Sequence, residues 1–246
     1  MKVIVNGALG RMGKEVTRLV NEGYKNAEPF GLVDAFGEAE GVVRSADELA
    51  GHADVIVDFS GHAAAPAICA YAVRTGTPAV IATTGHTEEE KAVILEAAKK
   101  VPVFYSANMS LGVALLCELA AKAAALYPDA DIEIVETHHN RKLDAPSGTA
   151  LMIADAIKTV KTDAEYTLGR AGHAKREKKE IGIHAIRMGN VVGEHEVHIG
   201  TDTETITLTH KAHDRSLFAE GALVAAAFLQ GKKAGLYTMR DMVSGK

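Results

Sequence analysis

The sequence predicts an α/β chain of two domains: a parallel sheet built from strand–helix–strand units, then a C-terminal α+β domain with an open mixed sheet. Three observations carry this expectation. Through residue 108, short β-branched or aromatic runs alternate with helical patterns, the rhythm of crossover-connected parallel strands buried on both faces. Beyond Asn108 three strand candidates follow one another without helices between them. The last helical pattern is alanine-rich again, in keeping with the first half. At 246 residues, 47% hydrophobic and 24% charged, the chain is large and apolar enough to bury two cores without structural metal or disulfides.

In chain order, strands are expected at Val3–Val5, Phe30–Val33, Val55–Phe59, Ala79–Ala82 and Val103–Tyr105, with helices at Lys14–Glu22, Ala63–Arg74 and Glu88–Lys99 between several of them. A long helix over Leu111–Leu126 leads to a strand at Asp131–His138 and a helix at Ser147–Lys158. The strand candidates Gly182–Met188, Glu194–Ile199 and Thr205–Thr209 then suggest a largely antiparallel arrangement. Gly169–Lys179 reads as a charged surface loop. The helix Ser216–Leu229 is expected to return to the first domain, so the boundaries fall at 1–109 with 216–246, and at 110–215.

Composition narrows the function. A formal net charge of -5, from 27 Lys+Arg against 32 Asp+Glu, argues against a nucleic-acid binder with a broad basic surface. Two cysteines, Cys69 and Cys117, sit in apolar helical patterns and exclude a disulfide scaffold, pointing to a reducing compartment. No apolar run is long enough to span a bilayer, and the opening MKVIVNGALG has no signal-peptide core, so a cytoplasmic protein with no membrane partner is expected.

The first strand runs into Gly7-Ala8-Leu9-Gly10-Arg11-Met12-Gly13 and then a helix. Such a turn lets backbone approach a pyrophosphate and aims helix N-terminal amides at its charge. Ala8 stands where the common G-x-G-x-x-G pattern has its first glycine. Asp34 ends the second strand 21 residues after Gly13, where a carboxylate accepts hydrogen bonds from ribose hydroxyls. Arg11 supplies charge for the adenine end or a 2′-phosphate. Ala82-Thr83-Thr84-Gly85 and Ser106-Ala107-Asn108-Met109 end two further strands, on the side where open α/β sheets bind ligands. A nicotinamide dinucleotide is the ligand these features suggest.

The densest chemistry is Glu136-Thr137-His138-His139-Asn140-Arg141-Lys142-Leu143-Asp144-Ala145-Pro146-Ser147-Gly148-Thr149. It joins a strand end to a helix start, with Pro146 read as preset for the first helical turn. Two imidazoles, an arginine and a lysine within five residues offer proton donors and cations beside a helix N-terminus able to hold a carboxylate. Metal ligation finds no support: His195 and His198, three apart in a strand, point to opposite faces, and no CxxC or HExxH occurs.

These residues resemble the 4-hydroxy-tetrahydrodipicolinate (dihydrodipicolinate) reductase family of lysine and diaminopimelate biosynthesis, over essentially the whole chain. The resemblance rests on GALGRMG, VDFS (Val57–Ser60), ATTG (Ala82–Gly85), NMSLGV (Asn108–Val113), the segment Glu136–Ala150 and VGEHEV (Val192–Val197). It implies a Rossmann-like N-terminal domain and a C-terminal substrate domain assembling a homotetramer. It implies His138 as proton donor and acceptor, Lys142 as proton donor, and His139 with the Gly148-Thr149 backbone as contacts for a dicarboxylate substrate. The cofactor positions carry over to Gly7–Met12, Asp34, Ala82–Thr84 and Ser106–Met109. Family members that use NADPH readily often carry arginine directly after the acidic residue; here that position is Ala35, so NADH is favoured over NADPH. His86 and Met188 depart from the family pattern and receive no role. Two competing readings, a catalytically silent NADH sensor and an aspartate-type dehydrogenase, leave the His-His-Lys segment unexplained.

Overall fold

The structure is a computed structural model that describes residues 1–245. The chain divides into two compact units: Met1–Ser110 together with the chain from Ser216 onward, and Leu111–Arg215.

In the first unit, strands β1 (Lys2–Asn6), β2 (Glu28–Val33), β3 (Val42–Val43), β4 (Val55–Asp58), β5 (Ala79–Ile81), β6 (Pro102–Tyr105) and β12 (Gly235–Tyr237) form one sheet in the order β12-β6-β5-β4-β1-β2-β3. Every pairing in it is parallel. Helices α1 (Arg11–Asn21), α2 (Ala65–Thr75), α3 (Glu88–Ala98), α6 (Ser216–Leu229) and α7 (Met239–Val243) belong to the same unit. Central strands are covered on both faces, so β4 (VIVD) is buried throughout and carries no alternation. Because β1 lies between β2 and β4, strand order reverses there, the position where such sheets accept ligands beyond their carboxyl ends.

The second unit holds β7 (Asp131–His138), β8 (Glu165–Leu168), β9 (Glu180–Arg187), β10 (Gly193–Gly200) and β11 (Thr205–Ala212) in the order β11-β10-β7-β9-β8. Helices α4 (Leu111–Leu126) and α5 (Gly148–Lys158) complete it. Its core joins Leu116, Ala120 and Ala124 of α4 and Ile153, Ala154 and Ile157 of α5 to Ile132, Ile134, Ile181, Ile183, Val197 and Ile199 of the sheet.

Three expectations need correction. The second sheet is mixed as expected, but its last three strands are not one antiparallel run: β10 pairs antiparallel with β7 and β11, while β9 pairs parallel with β7 and β8. The crossover through α5 and the polar strand β8 carries the chain from β7 to β9 in the same direction, and β7 then separates β9 from β10. Pro146 does not open α5; Ser147 is the N-cap, its hydroxyl accepting from the Ala150 amide at 3.1 Å, and Gly148 is the first helical residue. The short elements β3, β8, β12 and α7 lie outside the expected set. No helix among the described residues is long and apolar enough to cross a membrane.

Strand β10 alternates strictly, placing Gly193, His195, Val197 and Ile199 inside and His198 on the half-exposed face. His195 is only 3% exposed, and burial, followed by the neighbouring His138, pushes its pKa down to about 4. The unfolded chain therefore binds a proton at this residue that the folded chain refuses between pH 6.5 and 4. Stability conferred by neutral His195 is complete above pH 6.5 and lost as pH falls through that window, on the order of 3 kcal/mol in total. The midpoint of thermal unfolding should drop across pH 6.5 to 4, and His195→Gln should flatten that drop, as followed by circular dichroism.

Candidate active site

The glycine-rich turn of the first unit is set by one close approach. A Cβ on Gly13 would stand 1.9 Å from the Gly7 carbonyl oxygen, while Gly7 itself has φ +77 and packs against the Ser60 backbone. Hydrogen bonds from the Gly7 and Ala8 amides to the Val33 carbonyl, at 2.9 and 3.1 Å, clamp the turn onto β2. Gly10 is the N-cap of α1, and no side chain caps that helix, which leaves its first-turn amides to water or a ligand. Gly10 and Arg11 are exposed beside them, whereas Ala8 is buried and Met12 half-buried. Asp34 sits next to this turn: Oδ2 accepts from the Leu9 amide at 3.0 Å, and Oδ1 accepts from Phe36 and Gly37 at 3.1 and 2.9 Å. Burial would raise its pKa, but the Gly37, Leu9 and Phe36 amides and the charge of Arg44 together hold it below the usual carboxylate range. The Arg44 guanidinium donates to the Ala35 carbonyl at 2.7 Å and to Glu38 at 2.5 Å. A glycine cradle, an uncapped helix and an ionised carboxylate at the second strand fit the phosphates and ribose of a dinucleotide.

Two neighbouring loops leave the same sheet edge. After β5, Ala82 and Thr83 are buried and Thr84 and Gly85 exposed. After β6, Ser106 Oγ donates to the Asn108 carbonyl at 2.7 Å, Ala107 is exposed and Met109 is buried. Beneath them lies Asp58, fully buried at the end of β4. Its Oδ1 accepts from Asn6 Nδ2 at 2.7 Å, Ser60 N at 3.1 Å and Ser60 Oγ at 2.6 Å. Burial raises the Asp58 pKa, and the Ser60 and Asn6 hydrogen bonds oppose that rise.

In the second unit the chemistry gathers around Glu136, whose carboxylate is fully buried on the helix-covered face of β7. Arg187 of β9 binds it bidentately, Nη1 to Oε2 and Nη2 to Oε1, each at 2.8 Å. Oε1 also accepts from the Ser147 amide at 2.9 Å, and Oε2 faces His138 Nδ1 at 2.6 Å. Burial would raise the Glu136 pKa, but Arg187, His138 and the Ser147 amide bring it below the ordinary value. An ionised Glu136 only accepts, so His138 carries its proton on Nδ1 and presents Nε2. A Cβ on Gly193 would lie 3.0 Å from that Nε2, so glycine at this position keeps the imidazole edge open. The His195 ring meets His138 edge to face at 5.2 Å, and its Nε2 lies 3.0 Å from Ser147 Oγ.

The loop after His138 is fastened to the β9–β10 connection: Met188 N donates to the His138 carbonyl at 2.9 Å, and His139 N to the Val191 carbonyl at 2.7 Å. Lys142 Nζ is 2.8 Å from Asp144 Oδ1, and the Lys142 amide closes a turn onto the His139 carbonyl at 3.2 Å. Burial, then the charges of Arg141, Arg215, His138 and Lys142, lower the His139 pKa. Gly148 and Thr149 occupy the first two positions of α5.

The sequence singles out His138, His139 and Lys142 but gives no role to Glu136, Arg187, Ser147 or His195. A signal for the first existed. In D-I-E-I-V-E-T-H the period-2 parity of Ile132 and Ile134 continues through Glu136 and His138, placing an acid and an imidazole side by side on the buried face.

A family model described as "Dihydrodipicolinate reductase, N-terminus" matches residues 1–109, and "Dihydrodipicolinate reductase, C-terminus" matches residues 112–243. The 4-hydroxy-tetrahydrodipicolinate reductase of Caldanaerobacter subterraneus subsp. tengcongensis is 47% identical over 246 residues, covering 99% of this chain and 98% of its own. That of Clostridium novyi is 43% identical, covering 100% and 99%. Among solved structures, dipicolinate-bound dihydrodipicolinate reductase from Paenisporosarcina sp. TG-14 shares the fold, with a TM-score of 0.79, 23% identity and 97% coverage of both chains. With both halves of the chain matched by the same family and full-length relatives above 40% identity, this protein belongs to the dihydrodipicolinate reductase family.

Proposed function

We propose that the chain reduces 4-hydroxy-tetrahydrodipicolinate to tetrahydrodipicolinate with a nicotinamide cofactor, water leaving from the hydroxylated carbon. The observation that carries this reading is the Glu136–His138 pair, with His139, Lys142 and the start of α5 on the same short segment. A silent NADH sensor gives no reason to bury an ionised glutamate against a histidine, and an aspartate-type dehydrogenase gives none for the His-His-Lys segment.

When bound, the reduced cofactor supplies the hydride. The residues of the chain do the rest. Gly7, Ala8, Leu9, Gly10, Arg11 and Met12 hold the pyrophosphate, Asp34 the ribose, and Ala82–Thr84 with Ser106–Met109 the nicotinamide end. His139 and the Gly148 and Thr149 backbone hold the substrate carboxylates amid the charges of Arg141, Arg215 and Lys142. Lys142, exchanging Asp144 for substrate, delivers a proton to the ring, and His138 exchanges a proton through Nε2 while Glu136 holds its tautomer. A carboxylate at the ribose with Ala35 behind it favours NADH, and Arg44 tempers the repulsion of a 2′-phosphate. Assembly as a homotetramer through the open face of the second sheet, and catalysis in the cytoplasm, complete the reading. That face carries Ile186, 43% exposed, and Met188 follows it at 56%.

Three outcomes are expected. Asp34→Asn removes the charge but keeps an acceptor, so kcat/KM for NADPH relative to NADH should rise about tenfold; an unchanged ratio would free Asp34 of its role. His138→Gln and Lys142→Ala should each lower kcat by ~10²-fold or more, with NADH affinity near wild type by direct titration; a near-normal kcat in both would remove this segment from the chemistry. Light scattering should find four times the 26.0 kDa chain mass, and a monomer stable to dilution would end the assembly proposal.

A further inference from the structure

A polar chain in the first unit runs through His86, a residue with no role in the proposed chemistry. His86 is only 7% exposed, yet both ring nitrogens are engaged: Nε2 lies 3.0 Å from Thr83 Oγ1, and Nδ1 lies 3.2 Å from Tyr105 OH. The Tyr105 ring stands edge-on to the imidazole at a centroid distance of 5.3 Å. Thr83 Oγ1 continues the chain, donating to Asp58 Oδ2 at 3.5 Å.

The donors and acceptors can be assigned in order. Asp58 takes three hydrogen bonds on Oδ1, and the Thr83 hydroxyl spends its proton on Oδ2. Thr83 Oγ1 then has only lone pairs left for His86, which makes His86 Nε2 the protonated nitrogen. Nδ1 is the acceptor, and the Tyr105 hydroxyl donates to it. Burial, set against the charges of Glu90 and Asp58, lowers the His86 pKa and keeps the ring in this neutral form.

The placement of these groups suggests their purpose. In the loop from Ala82 to Thr87 the inner anchors are Thr83 and His86, and between them Thr84 and Gly85, with Gly85 at φ +83, project outward at the carboxyl end of β5. The two inner side chains bond each other and are tied to β4 through Asp58 and to β6 through Tyr105. The bracket flanks the exposed Thr84–Gly85 pair on both sides.

We propose that His86 is a positioning residue for the cofactor: through its Nε2–H bond to Thr83 it holds the exposed Thr84–Gly85 backbone where the nicotinamide end binds. This rests on the reading of the first unit as the nicotinamide dinucleotide site. It concerns a residue at which the chain departs from the family pattern.

The two amide replacements of histidine separate positioning from packing. A glutamine amide reaches the place of Nε2 and can still donate to Thr83, while an asparagine amide reaches only the place of Nδ1 and can serve only Tyr105. The chain has no tryptophan, so NADH binding can be followed by the emission of the cofactor itself. His86→Asn should raise the NADH dissociation constant about tenfold, the loss of one hydrogen bond, and raise KM for NADH while kcat at saturation holds. His86→Gln should recover affinity to within about threefold of wild type. His86→Leu, which fills the space and donates to neither partner, should match His86→Asn and carries the test if that variant does not fold, as judged by thermal unfolding. Equal affinity in the Asn and Gln variants would overturn the proposal and leave His86 as packing. A wild-type chain that binds neither NADH nor NADPH would overturn the cofactor reading, and this proposal with it.

Discussion

The second unit depends on one buried carboxylate. Glu136 has no exposure, and its two oxygens take four donors: both terminal nitrogens of Arg187, the Ser147 amide and His138. A buried charge is tolerated only when paired and fully hydrogen-bonded, and here each partner comes from a different part of the unit. Arg187 ties β9 to β7, Ser147 ties the start of α5 to β7, and His138 is held by its imidazole at the end of its own strand. Truncating any of them would leave the glutamate short of a donor in a dry place, so electrostatics enforces the geometry of the whole loop.

The first unit solves its problem sterically instead. The contact between Gly13 and the Gly7 carbonyl leaves no room for a Cβ, and the turn is then pinned to β2 by backbone bonds to Val33. Asp34 joins the same structure through the Leu9 amide, so the carboxylate after β2 and the glycine-rich turn share a hydrogen bond within the chain itself. This is preorganisation by the chain itself, and it lowers the ordering cost of binding.

Much of this was legible in the sequence, and the reasons are local. Continuous apolar runs such as Val55–Asp58 announce strands covered on both faces, and the strict alternation of Gly193–Gly200 announces a strand covered on one. The separation of His195 from His198 follows from the same parity. Strands of two or three residues, Val42–Val43 and Gly235–Tyr237, are too short to show any period, and β8 is polar. Pro146 misled because a proline signal was read without the serine beside it, whose side chain provides the cap. The bond between Glu136 and Arg187 spans 51 residues and exists only because β7 and β9 align in parallel register, which no local pattern encodes. Asp34 stands out by spacing, while the Phe36 and Gly37 amides that hold it come from a loop with no such regularity.

The division of the chain also sets the order in which the molecule can be made. Leu111–Arg215 forms a compact unit from one continuous stretch, whereas the other unit needs both ends of the chain. On a ribosome the first six strands emerge early, but α6, with Ala219, Ala222, Leu223, Ala225 and Ala226 fully buried, and β12, which pairs with β6, appear only after the intervening unit is complete. Until then the parallel sheet lacks the helix and the edge strand that complete it, whereas the inserted unit is already synthesised whole. The segment bearing His138 and Lys142 is thus synthesised before α6 and β12, the last pieces of the parallel sheet's unit.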